Sequence, residues 1–267
     1  MKKLIICILL SAILLVIILI AAITEIKWLV CIGVIAEVVF SWILEKALDK
    51  LNTNGQSFKL LWHSVRFYNK NIRLSFSYLF KISIDGKYLL VRGNRLKNQY
   101  QPIGGVYKYY DEAKSELGKM EYRPDVTMGN TDETDDLRIT IKGKHLLHFM
   151  DWFLSMEDRE YDPYREFKEE LLDSNLIPEE NFRVLKYRKD HIHNEGITFS
   201  TYNNCWEYIY ADIFELKLSK EQEATMKQAV DNNSEMLCLA TDIELETECY
   251  AGREKNIGNN AKWLIGG

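Results

Sequence analysis

The hydrophobic pattern divides the chain near residue 50. Leu4 to Ile23 contains no charged residue, and Trp28 to Leu44 contains one, Glu37, with the polar turn Thr24–Glu25–Ile26–Lys27 between them. About 20 apolar residues cross a hydrocarbon core of about 30 Å as a helix. Residues 1–50 therefore predict a two-helix transmembrane hairpin, with spans at about 4–23 and 28–44. The first run is longer than the apolar region of a cleaved secretion signal, and a second span follows at once, so an anchor is expected. Lys2 and Lys3 precede the hairpin, Lys46 and Lys50 follow it, and only Lys27 lies in the turn. Basic residues collect on the cytoplasmic side, which places both termini in the cytosol. Glu37 is costly in mid-span unless neutral, hydrated or paired. A protonated acid in a helix–helix contact and an acid that lines a pore or specifies an oligomer both fit.

Beyond residue 50 the periodicity changes. Residues 45–70 suggest a helix leaving the membrane, broken at Asn52–Thr53–Asn54–Gly55, and 51–70 form a linker to a domain over 71–267. Ile72–Ile84 and Lys87–Arg92 are apolar runs separated by Asp85–Gly86, a strong hairpin-turn signal. Residues 125–135 are acidic and loop-like, Leu137–Ile141 alternates as a short strand, and Lys144–Phe153 has helical spacing. Asp162–Pro163 supplies the start chemistry for a helix through Leu172. Phe182–Tyr187, Ile197–Tyr202 and Trp206–Leu218 are strand-like, His191 and His193 fall in a polar loop, and Ser219–Val230 is amphipathic. Strands first, then mixed helices and strands, give an α+β domain.

Composition narrows the partners. A net charge of −5 argues against a protein that coats duplex nucleic acid. Cys7, Cys31, Cys205, Cys238 and Cys249 form no CxxC pair and are odd in number, which fits reduced thiols better than a disulfide scaffold. His145 and His148 stand at i and i+3 with no further soft ligand, so zinc is not expected. Tyr107, Tyr109, Tyr110 and the aromatics of Tyr202–Tyr210 fit either base stacking or a packed sheet.

The helix Tyr164-Arg165-Glu166-Phe167-Lys168-Glu169-Glu170-Leu171-Leu172 carries the chemistry. Glu166, Glu169 and Glu170 stand at i, i+3 and i+4 and share a helix face. Clustered carboxylates repel unless a cation neutralises them, and oxygen ligands suit Mg²⁺ or Mn²⁺. A solvated acidic first turn, favoured by the helix dipole, is the plainer alternative.

Together with Pro102-Ile103-Gly104-Gly105 and the strand Lys87–Arg92, the hexapeptide Arg165–Glu170 resembles the Nudix hydrolase signature. Three departures stand out. Asp111 takes the place of the glutamate expected six residues after Gly105, the seven residues expected before the arginine become 53, and Leu172 replaces a glycine. The hairpin, the Nudix-like domain and an insert at about 112–157 together resemble the SMODS-associated Nudix family, membrane-anchored effectors of the CBASS anti-phage systems. The resemblance implies a Nudix-like mixed sheet with flanking helices in the bacterial inner membrane. The implied ligand is a cyclic oligonucleotide or other nucleotide, with homo-oligomerisation on activation. It also implies Glu166, Glu169 and Glu170 as Mg²⁺ (or Mn²⁺) ligands and catalytic groups with Arg165, a cradle at Gly104, Gly105 and Asp111, and Glu207 as a candidate base. Whether the domain hydrolyses its nucleotide as a pyrophosphohydrolase or only binds it stays open.

Overall fold

The computed structural model describes residues 57–93, 99–125, 135–253 and 256–266. The chain divides into two compact units, Met1–Trp62 and His63–Gly267. Among the described residues no helix is long and apolar enough to cross a membrane; the predicted spans at 4–23 and 28–44, and Glu37, lie outside them. Within the stretch expected as a linker, Ser57–Arg66 is a helix, α1.

The centre of the domain is β1 (Asn71–Lys81), whose alternate residues Ile72, Leu74, Phe76, Tyr78 and Phe80 are all fully buried on one face. β1 pairs in parallel with β10 (Cys205–Leu216), from Ile72 opposite Trp206 to Lys81 opposite Glu215. On its other edge the strand is shared. Its second half pairs with β5 (Gly104–Val106) and its first half with β7 (Arg138–Lys142), both antiparallel. β6 (Arg123–Pro124) extends this edge, while β8 (Tyr187–His193) and β9 (Ile197–Ser200) pair with β10, completing a seven-stranded mixed sheet. A smaller antiparallel sheet joins β2 (Ser83–Ile84), β3 (Lys87–Arg92), β4 (Tyr100–Gln101) and β11 (Leu237–Ala240). The β2–β3 turn falls at Asp85–Gly86 with both φ positive (50° and 74°), the primed geometry that matches strand twist.

The insert is built into this architecture. It contributes α2 (Ala113–Lys119), β6, β7 and α3 (Leu146–Ser155). Phe149 and Phe153 of α3 pack on Phe76 at 4.9 and 4.6 Å, and Phe153 meets Tyr210 at 5.4 Å. Without α3 the face formed by Leu74, Phe76, Tyr208 and Tyr210 would meet water, at roughly 1.5–3 kcal/mol per large apolar side chain. Farther along the same face, α4 (Tyr164–Phe167) places Phe167 against Phe80 at 5.7 Å. α5 (Lys220–Asn232), whose Met226 and Ala229 join the core of Phe80 and Phe167, and α6 (Asp242–Thr247), whose Leu245 packs with Leu79 and Ile213, each begin with a capping box, at Ser219 and Thr241.

Two local expectations are corrected. Phe182–Tyr187 is not a strand: Phe182 is buried in the core beside Phe167, and the strand begins only at Tyr187. His191 and His193 are on β8, not in a loop. The Trp263 carbonyl lies 2.9 Å from His191 Nε2, and the His193 ring stacks on Trp263 at 4.3 Å. Burial lowers the His193 pKa.

Candidate functional site

The acidic helix starts as its sequence dictates, with Asp162 Oδ1 accepting from the Tyr164 N–H at 2.9 Å ahead of α4. Past Phe167 the winding loosens. Lys168–Leu172 forms a π-helical turn, closed by the Asp173 N–H donating to the Lys168 carbonyl at 2.9 Å. Such turns are rare and often mark functional segments. Phe167, Leu171 and Leu172 enter the core with Phe80, Ile103 and Leu176. Leu172, at the position where the signature has glycine, is therefore a core residue.

The helix and the glycine pair fit each other atom by atom. A Cβ on Gly105 would come within 2.0 Å of Glu166 Oε1, and one on Gly104 within 2.2 Å of the Tyr78 carbonyl; Gly104 also has φ +147°. A side chain at Gly104 would collide with the β1 backbone, and one at Gly105 would displace the Glu166 carboxylate. Glu170 Oε2 accepts from the Gly104 N–H at 3.0 Å. Glu166 Oε1 accepts from Arg165 Nη1 at 2.6 Å, and Arg165 Nη2 donates to the Val106 carbonyl at 3.0 Å. Glu169 points outward, half exposed, 3.5 Å from Arg165 Nη1.

Asp111 does not join this group. Its side chain is 84% exposed and pairs with Lys114 at 2.7 Å, because the chain turns away after Tyr110 to begin α2. The acid that holds the signature arginine is Glu160. It accepts from Arg165 Nε at 2.8 Å and Nη2 at 3.1 Å, from the Lys108 N–H at 3.2 Å and from the Tyr78 hydroxyl at 3.3 Å. Its own N–H donates to the Lys108 carbonyl at 2.8 Å, so backbone and side chain both bind it beside β5. Buried Arg159 fixes the approach, donating to the Phe153 and Glu160 carbonyls at 2.7 and 2.5 Å and lying 3.8 Å over the Phe153 ring. The insert thus leaves the site after Tyr110 and returns a different acid to it. Glu160 sits among Glu157, Asp158 and Asp162, and no spacing singles it out in advance.

The electrostatics follow from one guanidinium facing three carboxylates, Glu160, Glu166 and Glu169, with Glu170 held by the Gly104 N–H beside them. Burial disfavours the Arg165 charge, but Glu160 and Glu166 outweigh it and hold its pKa above the usual value. Burial raises the Glu166 pKa despite Arg165, with Glu169 and Glu160 adding to the rise. Glu170 is pushed up to about 8, by burial first and then by Glu166 and Glu169, against the lowering effect of the Gly104 N–H. The donor set is all oxygen and short of positive charge, which suits a hard divalent cation. As the side chains stand, no group of three or more His, Cys, Asp or Glu among the described residues is arranged to hold a metal. Glu166 is turned to Arg165 and Glu170 to Gly104.

Other candidates fall elsewhere. Glu207 is buried against Arg73 Nη1 at 2.8 Å and Asn203 Nδ2 at 2.6 Å. Arg73, opposite Glu207, lies five strand residues from Tyr78, a distance of about 17 Å. Glu207 is therefore no base for this site. Tyr107, Tyr109, Tyr208 and Tyr210 are core residues, leaving Tyr110 and Tyr202 exposed. His145 and His148 face Glu121 and Glu116. Cys205, Cys238 and Cys249 are free thiols, and burial pushes Cys238 up to about 12.

Comparison with curated proteins and with solved structures gives no match. A family model described as the SMODS-associated NUDIX domain does match, over residues 71–265. It spans the shared strand β1, the glycine pair, the insert and the acidic helix together. The chain belongs to the SMODS-associated Nudix family.

Proposed function

We propose that this protein is a membrane-anchored effector of a bacterial CBASS anti-phage system. Its Nudix-like domain binds a cyclic oligonucleotide or other nucleotide, and binding acts through the hairpin at 4–44 in the inner membrane, with homo-oligomerisation as the activating step. The observation that carries a binding role is how the signature carboxylates are engaged. Glu166 is tied to Arg165, Glu170 to the Gly104 N–H, and the acid that supports Arg165 comes from the far end of a 53-residue excursion rather than from Asp111. A site held this way can register a phosphate-bearing ligand by exchanging internal ion pairs for contacts to it. The test is calorimetric titration of the full chain in nanodiscs with a panel of cyclic oligonucleotides, together with dye leakage from vesicles. Binding that triggers leakage supports the proposal; leakage indifferent to every nucleotide overturns it.

A second reading, a membrane-tethered pyrophosphohydrolase, is favoured by the gathering of Glu166, Glu169 and Glu170 beside the glycine pair, with Glu170 raised by burial and by the other two acids. Mg²⁺ or Mn²⁺ would be held by Glu166, Glu169 and Glu170, and when bound would neutralise phosphate and acidify water. Arg165 would orient Glu166, and the Gly104–Gly105 backbone would let a phosphate approach closely. Loss of Mg²⁺-dependent nucleotide turnover in a Glu169→Gln/Glu170→Gln variant that still binds nucleotide would favour this reading over sensing alone.

A further inference from the structure

We infer that the end of the domain formed by the last turn of α1, the loop into β1 and the β9–β10 hairpin is a docking surface for an anionic lipid bilayer. The inference rests on the membrane-anchored reading above and adds to it which face of the domain meets the membrane.

Charge is the first observation. Between Asp49 and Asp85 the chain has no acid and six basic residues, Lys50, Lys59, Arg66, Lys70, Arg73 and Lys81, although its net charge is −5. Arg73 and Lys81 are engaged with Asp125 and Asp190, whereas Arg66 and Lys70 are exposed at this end. The neighbouring segment 197–206 carries no charge at all.

Exposed apolar surface coincides with this charge. Val65, Tyr68, Phe199 and Tyr202 are exposed by 47, 43, 48 and 83%. They stand on a firm base. Trp206 is gripped between Phe67 at 4.8 Å and Phe199 at 5.3 Å, with the Lys70 ammonium 5.5 Å over its ring. The Ile197 N–H donates to His63 Nδ1 at 3.3 Å, joining β9 to α1. Lys144 donates its N–H to the Tyr68 carbonyl at 3.0 Å, so Lys142 and Lys144 edge the same surface; Glu121, which binds both, is an acid on that rim. Aromatic rings with polar tips, ringed by Lys and Arg, are what a headgroup region favours.

Reach is the third observation. Only 12 residues separate the predicted end of the second span at Leu44 from Ser57, a tether of at most about 40 Å. A bilayer is preferred over a second copy of the chain, because a two-fold contact here would set Arg66 and Lys70 against their own counterparts. An anionic leaflet is instead complementary, each basic residue near it being worth roughly fivefold in partition.

The test reconstitutes the full chain in vesicles of phosphatidylcholine alone or with phosphatidylglycerol and follows amide hydrogen exchange. Slowing of at least about threefold at residues 65–72 and 197–204 in the anionic vesicles is expected, and Arg66→Glu/Lys70→Glu should cancel it. Phe199→Ser/Tyr202→Ser should reduce it; all four side chains are exposed, so unchanged circular dichroism is the folding control. Equal exchange in both lipids overturns the inference, as does protection that rises with protein-to-lipid ratio, which would mark a second copy. Alkaline carbonate extraction separates this from the anchor itself. A chain that stays with the membrane but shows no lipid-dependent protection sinks the docking surface alone. A chain released by carbonate sinks the hairpin reading, and docking then stands only if the chain co-sediments with anionic and not with zwitterionic vesicles.

Discussion

β1 carries a buried ionic cluster toward each end, and the two are balanced differently. At Arg73 one guanidinium is shared by two carboxylates, Asp125 at 2.5 Å and Glu207 at 2.8 Å, and Asn203 supplies a further donor to Glu207. All three ionic side chains are at least nine-tenths buried. Toward Tyr78 one guanidinium, Arg165, faces Glu160, Glu166 and Glu169, Glu170 is held by the Gly104 N–H instead, and Glu166 and Glu170 have raised pKa values. The first cluster nearly satisfies itself and serves as a lock between β1 and β10. The second is left short of positive charge and lies where the chain approaches a glycine-lined backbone. The imbalance is what a cation or an exchangeable ligand contact would use.

The largest expected effect is at the balanced end. Arg73→Met leaves Asp125 and Glu207 buried without their cation, and breaking a buried pair this way costs about 3–5 kcal/mol. Chemical denaturation should show that loss while nucleotide binding per folded molecule stays intact. Binding lost in proportion to stability would mean that the two clusters are one unit. Next is Glu160→Gln, which removes the charge that holds Arg165 Nε and Nη2. A charged hydrogen bond of this kind is worth about 2 kcal/mol. Here stability and nucleotide binding should fall together, since Arg165 is freed to turn from Glu166.

Glu160 and Asp111 also show what the sequence could convey. The β2–β3 hairpin was legible because Asp85–Gly86 states its turn locally, and α5 because Ser219 and Gln222 state its start. The membership of Arg165, Glu166 and Glu170 in one site with Gly104 was legible because signature spacing encodes that contact. Asp111 was misplaced by the same spacing: counting from Gly105 assumes an unbroken turn, and here the chain leaves for an insert that completes the sheet beside β1. Glu160 is placed by Arg159, Phe153 and Lys108, contacts that depend on how α3 packs against Phe76. Likewise Leu172 replaces glycine because the π-helical turn delivers it to the core, and hydrophobic periodicity does not distinguish a π-helical turn from an α-helical one.

A third effect should separate the clusters by pH. Glu170 titrates at about 8 in the folded chain against a usual value of 4.5. Between those values the unfolded carboxyl has lost its proton and the folded one keeps it, so the native state binds more protons. Stability from this group is complete below about pH 4.5 and is lost as pH rises toward 8. Denaturation midpoints measured from pH 5 to 8.5 should fall in the parent and flatten in Glu170→Gln. Millimolar Mg²⁺ at pH 8 should restore stability to the parent and not to the variant.

The smallest effect is the most discriminating. Asp111→Asn removes a carboxylate that motif counting assigns to the site but that pairs only with Lys114 on an exposed turn. Such a solvent-screened surface pair contributes little to stability. The variant should keep parental stability, nucleotide affinity and the pH slope of Glu170, where Glu160→Gln changes the first two. If Asp111→Asn instead weakens nucleotide binding as Glu160→Gln does, then the liganded chain must bring Asp111 back toward Gly105. The excursion through α2 would then be a moving part, and the division between a fixed lock at Arg73 and an adjustable cluster at Arg165 would have to include the insert.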